Sequence, residues 1–280
     1  MCSPARSYIN HQVRCKLERE WPSFVSRYLT ALARQAQRRW ENSASHRELT
    51  INRTLAVIEA PWETELSPVE DTREFIFFRD FFNAFRECTS SCKALDLIGE
   101  LSAASIDSVD VNKQSAAITF WAESYLNEVY IFRLRLHNLI KFIQRRYKKD
   151  ADFTEFVIEV GDSLAKFVNE QLGPLINDRG THVHVRRHRY ADPELARLAG
   201  LDVLIDALGQ EELRDNRKGA KEEAKEWLTQ QVTHFSDLAW HLLNEVCRGF
   251  ADGILLENDY IIVPIHYKDA PCALVENRSQ

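Results

Sequence analysis

The chain has 280 residues, 45% of them hydrophobic and 28% charged, a balance that supports a buried core without disulfides or metals. Its formal net charge of -6 excludes a protein that grips polyanions through overall charge, because counterion-driven nucleic-acid binding needs clustered Lys and Arg. Nine Gly and eight Pro are few for this length and favour long regular elements over frequent turns.

The six cysteines (Cys2, Cys15, Cys88, Cys92, Cys247 and Cys272) follow no secretory spacing and read as reduced thiols. Cys88 and Cys92 are four apart, but no second pair at metal spacing accompanies them, so two packed or exposed thiols are expected rather than a zinc ribbon. The opening residues contain no apolar stretch of signal-peptide length, and no window reaches the roughly 18 apolar residues of a spanning helix. A cytoplasmic chain without a membrane partner is expected.

In chain order, Trp21 to Trp40 places Phe24, Val25, Tyr28, Leu29, Leu32, Ala36 and Trp40 at helical spacing, with Arg34, Arg38 and Arg39 toward the other side. After a polar, Pro-containing stretch, Ser67-Pro68-Val69-Glu70 reads as N-cap, first-turn Pro and capping-box Glu of a helix through about Cys88. Phe75, Phe77, Phe78, Phe81, Phe82 and Phe85 crowd that helix and read as core rather than as a platform for bases. The small polar residues from Ser102 to Gln114 have the composition of a connection between subdomains. Beyond them Ile118, Ala122, Tyr125, Val129, Phe132, Leu136, Leu139 and Ile143 alternate steps of four and three, the seam of a bundle helix.

Two further segments repeat that spacing. One carries Phe153, Val157, Val160, Leu164, Phe167 and Leu175, and the other Leu228, Val232, Phe235, Ala239, Leu242 and Val246. Between them, Asp192-Pro193 signals a short helix ended by Gly209, and the mixed charges of Glu211 to Glu226 read as a solvated helical face. Asp259 to Pro264 is the strongest strand-like run and predicts a minor β appendage. The expected architecture is an all-α bundle, with a helical N-terminal extension (1–101), the bundle proper (115–250) and a C-terminal strand and tail (251–280).

Chemistry concentrates in one place. From Arg179 to Arg189 there are four arginines (179, 186, 187, 189) and three histidines (182, 184, 188) and no acid. Self-repulsion makes such a cluster unfavourable unless an anion, a metal or a nearby carboxylate offsets it. Histidine moves protons near neutral pH, and arginine grips a phosphoryl group through two bonds. Together they can cleave RNA without a metal: the 2′-hydroxyl is deprotonated, the phosphorane neutralised and the leaving oxygen protonated.

The run Arg179-Gly180-Thr181-His182-Val183-His184, following a long bundle helix, resembles the R-x4-6-H motif of the HEPN superfamily, whose members are helical bundles and many of them RNases of defence systems. Over about Ser115 to Phe250 the resemblance implies a homodimer with a composite, cofactor-free RNA-cleaving site, in a defence or stress role under a regulatory or antitoxin partner. Arg179 would hold the scissile phosphate and His184 act as general acid or base. His182 and His188 stand outside the motif as auxiliaries, Asn127 and Glu128 on the seam helix are candidates to orient the motif Arg, and Arg186, Arg187 and Arg189 are candidates to bind RNA phosphates.

Two other readings stay open. His182, His184 and His188, or His234, Asp237 and His241 at helical spacing, could ligate zinc, although the neighbouring arginines of the first set would repel a divalent cation. Alternatively the run is a packed corner, or the bundle a catalytically silent interaction module. Phosphate-binding glycine loops and a Gly-x-Ser-x-Gly elbow are absent from the sequence.

Overall fold

The computed structural model describes residues 21–42, 72–184, 192–255 and 260–268, with only the backbone at 39, 40, 42, 112 and 174–184. It is all-α. Six α-helices appear among the described residues: α1 (Ser23–Asn42), α2 (Arg73–Ser108), α3 (Gln114–Tyr147), α4 (Thr154–His184), α5 (Pro193–Asp202) and α6 (Arg214–Ile254). No described helix is long and apolar enough to cross a membrane.

The heptad seam of α3 is buried at every one of its positions, from Ile118 to Ile143. This stripe makes α3 the central post: α2 and α4 pack on it, and α6 packs against both α2 and α3. A sustained four-three alternation keeps one face of a straight helix turned to its neighbours over many turns, so α3 can serve three partners along its length. Leu228, Val232, Ala239, Leu242 and Val246 bury the matching stripe of α6.

Four of the six phenylalanines of α2, Phe77, Phe78, Phe81 and Phe85, are core, whereas Phe75 is half-buried and Phe82, 42% exposed, faces outward. Phe77, Phe81 and Phe85 are fully buried, with Phe77 and Phe81 at a centroid distance of 6.0 Å and Phe81 and Phe142 at 5.6 Å. Val25, Tyr28 and Leu32 of α1 close over this layer, and Tyr28 stacks on Phe85 at 6.1 Å. One contiguous core therefore joins α1 and α2 to the helices that follow.

Several local expectations need correction. Ser67 to Glu70 lie outside the described residues, and the described helix begins at Arg73, where Thr72 Oγ1 accepts a bond from the Phe75 N–H at 3.2 Å. That helix runs past Cys88 to Ser108, because Leu95, Ser102 and Ile106 continue its buried stripe; the chain turns only at Val109 and Asp110. The polar composition of Ser102 to Gln114 conceals a helix end held by the buried Ser102 and Ile106. The expected C-terminal strand is, among the described residues, a single antiparallel bridge between Leu255 and Ile261.

The charged segment from Glu211 to Glu226 leads into and forms the first turns of α6, and most of it is exposed, but one side is tied to the rest of the bundle. Arg217 Nε meets Asp202 Oδ1 at 2.7 Å, its other nitrogens reach both oxygens of Asp206 at 3.0 Å, and Lys221 donates to the Val111 carbonyl at 2.5 Å. These bonds clamp the α5 turn and the α2–α3 corner onto α6. Gly209, at φ 69°, makes the reversal between them in the left-handed region that favours glycine.

Candidate functional site

The predicted motif divides at the end of α4. Arg179, His182 and His184 stand on helical backbone in its last turns, with side chains outside the description, whereas Arg186, Arg187, His188 and Arg189 lie outside the described residues altogether. On a continuous helix, five residues separate two positions by about 140° and 7.5 Å, but three residues by only about 60°. His182 therefore shares the Arg179 side of α4 by register, and His184 stands well round the helix from it.

The neighbouring part of α4 runs antiparallel to α3. Gln144 Nε2 donates to Asp162 Oδ1 at 3.0 Å near one end, and Arg133 bonds Asn169 further along. Continuing this direction for the ten residues from Asn169 carries Arg179 about 15 Å further along α4, toward the Gln114 end of α3. Asn127 is exposed on that part of α3. Glu128 faces the other way: its Oε1 is 3.7 Å from Arg135 Nη1, and Arg135 also pairs with Glu87 at 2.8 Å and donates to Ser91 at 2.7 Å, both on α2. At 3.7 Å the Glu128 contact is an ion pair and no hydrogen bond, and it belongs to the α2–α3 interface rather than to the side of α3 that meets α4.

That α4-facing side carries a cluster the motif reading missed. Asn169 Oδ1 accepts from Arg133 Nε at 3.0 Å and Nη2 at 2.8 Å, and His137 Nε2 lies 3.0 Å from the same oxygen. An amide nitrogen could not accept from the guanidinium, so the Asn169 orientation is dictated, and His137 must carry its proton on Nε2 to donate. Nδ1 is then the basic nitrogen. Burial is the main influence lowering the His137 pKa from its ordinary 6.5, Arg133 and Lys141 lower it further, and the Asn169 bond partly opposes them. The imidazole is accordingly neutral at pH 7.

Arg133, His137, Lys141 and Arg145 recur every four residues, about 6 Å apart along the axis, and form a strip along α3 in which Arg133, Lys141 and Arg145 carry the charge and neutral His137 lies between them. The four-residue period was present in the sequence, but it flanks the apolar seam and reads there as an ordinary solvated border.

Among the described residues no group of three or more His, Cys, Asp or Glu is arranged to hold a metal ion. His234, Asp237 and His241 all lie on the exposed side of α6. Cys88, Cys92 and Cys247 are free and buried, and burial raises the Cys88 and Cys247 thiols well above their ordinary range, which withholds the thiolate needed for nucleophilic or metal chemistry.

No protein family, curated protein or solved structure matches the chain.

Proposed function

We propose that this protein is a metal-independent endoribonuclease of HEPN type that works as a homodimer. Arg179 holds the scissile phosphate, and His184 takes the 2′-hydroxyl proton or delivers one to the departing 5′-oxygen. Attack of the 2′-oxygen on the adjacent phosphorus forms one P–O bond as the bond to the 5′-oxygen breaks, which leaves a 2′,3′-cyclic phosphate and a 5′-hydroxyl. Guanidinium charge is suited to the phosphorane because its two parallel N–H groups match two phosphoryl oxygens.

The observation that carries this reading is the concentration of Arg and His from Arg179 to Arg189 at the end of a long bundle helix, in a chain with a net charge of -6. The cationic strip on α3 supports it as a track for RNA phosphates beside the same α3–α4 pair. Because helical register separates Arg179 from His184, a site using both draws them from two protomers, and His182 is the histidine placed to assist Arg179 within one. Uncontrolled RNA cleavage harms a cell, so a restraining partner and a defence or stress role belong to the proposal.

The test is cleavage of a mixed single-stranded RNA pool by the full chain in excess EDTA, beside His184→Ala and His182→Ala. Cleavage that survives chelation and falls at least about 100-fold in His184→Ala is expected, the scale of a lost general acid or base. Loss only in His182→Ala reassigns the proton transfer, and no cleavage by any of the proteins supports a silent interaction module on the same bundle.

A further inference from the structure

We infer that a cavity at the Tyr147 end of α3 binds a small molecule carrying a di- or triphosphate group, at a site separate from Arg179 and His184. The cavity has a volume of about 620 Å³, within the roughly 300–1,000 Å³ typical of small-molecule sites. Lys141, Arg145, Arg146, Lys148 and Lys149 enter it from the last turns of α3 and the residues just beyond, and His266 from the turn Ile265–Tyr267. The end of α3 concerned is opposite to the one toward which α4 carries Arg179.

Charge balance points to an anion. Arg146 is neutralised by Asp80, at 3.0 Å. Among the described residues no carboxylate pairs with Lys141, Arg145, Lys148 or Lys149, all of which are exposed. Cations are commonly placed at helix C-termini, where the macrodipole amounts to about half a negative charge. That accounts for one of these side chains, and Asp150, whose Oδ2 accepts from the Ile265 N–H at 3.1 Å beside the cavity, offsets another, which leaves a surplus of about two. Lys141 and Arg145 also stand four residues apart on α3, the helical spacing at which like charges repel most directly. A ligand with one charge would leave much of the surplus in place, whereas a di- or triphosphate matches it.

The cavity is also built rather than merely charged. Arg146 is fixed by Asp80, by the Tyr267 hydroxyl and by the rings of Phe142 and Tyr267, whose centroids lie 5.2 and 5.0 Å from its guanidinium carbon. A guanidinium held in this way loses little freedom when it meets a phosphate. The exposed lysines supply adaptable charge around it, and Phe142, Tyr267 and Ala84 give the non-phosphate part of the ligand an apolar wall. Convergence of three chain segments (α2, the end of α3 and the turn Ile265–Tyr267) on one hollow favours a compact ligand over an extended strand, for which the linear strip on α3 is better shaped. Binding here would hold whether or not the chain cleaves RNA.

The experiment is isothermal titration of the full chain with inorganic tripolyphosphate, orthophosphate and a nucleoside triphosphate, repeated on the double variant Arg145→Gln/Lys149→Gln. Tripolyphosphate is expected to bind at least about tenfold more tightly than orthophosphate, to be displaced by the nucleoside triphosphate, and to lose at least about tenfold in the double variant at an unchanged melting temperature. Absence of tripolyphosphate binding at millimolar concentration, or equal affinity in the double variant, would overturn the assignment. So would displacement of tripolyphosphate by single-stranded RNA lacking terminal phosphates but not by the nucleoside triphosphate.

Discussion

The Nε2 atom of His137 lies 3.0 Å from the Oδ1 atom of Asn169, across the contact between α3 and α4. Since that oxygen can only accept, the imidazole donates through Nε2, while burial, Arg133 and Lys141 lower its pKa from 6.5. The unfolded chain then takes up a proton more readily than the folded one as pH falls through 6.5, so stability is lost from there down to the lower folded-state pKa. Denaturant unfolding between pH 8 and pH 5 should show this fall, and His137→Gln should flatten it. Some slope should remain, because burial and Lys149 lower His266 in the same direction.

Gly253 of α6 is needed by the helix packed against it. A Cβ at this position would overlap the ring of Phe156 on α4, whereas one at Gly161 would meet the side chain of Gln144. The planar ring cannot yield as the amide can. Gly253→Ala should therefore destabilise the protein by about 1–3 kcal/mol, despite gaining up to about 1 kcal/mol in helix propensity. Gly161→Ala should cost less, since Gln144 can swing aside at the expense of its bond to Asp162. Shifts in the urea midpoint at constant slope would check both, and a neutral Gly253→Ala would contradict the close approach of α4 and α6.

The buried thiols should be silent in the folded protein. Cys88, Cys92 and Cys247 lie in the core at 3% exposure or less, and it is the thiolate that attacks alkylating reagents, displacing iodide from iodoacetamide. Mass spectrometry after brief iodoacetamide treatment should find these three unmodified in native protein and alkylated in urea. Rapid native labelling of Cys88 would show that the layer between α2 and α6 opens far more often than its packing implies.

Much of the bundle was legible because its signal is redundant. The α3 seam repeats over eight positions from Ile118 to Ile143, and each burial reinforces the next. Ends were harder to read: Ser102 and Ile106 sit in a small, polar stretch that resembles a linker, and only their burial against the rest of the core keeps α2 helical to Ser108. The Asp259–Pro264 strand signal likewise finds, among the described residues, only the single bridge of Ile261 to Leu255, and β-propensity without a longer partner has little to pair with. At the site, the composition of Arg179 to Arg189 could be read directly. The strip of Arg133, His137, Lys141 and Arg145 could not, because its meaning depends on Asn169 and on a neighbouring helix, and the cavity near Arg146 depends on His266 and Tyr267, more than a hundred residues away.

If RNA phosphates follow the α3 strip, its cations set the salt dependence of binding. Lys141→Gln should reduce the slope of log affinity against log salt by about 0.7, the value for one phosphate contact with a single strand. Fluorescence anisotropy with a short single-stranded RNA in EDTA, between 50 and 300 mM salt, would measure it. An unchanged slope would remove the strip from the RNA path and leave it as the solvated border of the bundle.

The most direct test of the central claim is the chemistry of the new RNA ends, determined after incubation of a defined single-stranded RNA with the full chain in EDTA. A metal-free reaction through the 2′-hydroxyl predicts 2′,3′-cyclic phosphate and 5′-hydroxyl ends, no cleavage where the attacking 2′-hydroxyl is replaced by hydrogen, and loss of both ends in Arg179→Ala and His184→Ala. Uncut RNA, or 3′-hydroxyl ends formed only when a divalent metal is restored, would contradict it.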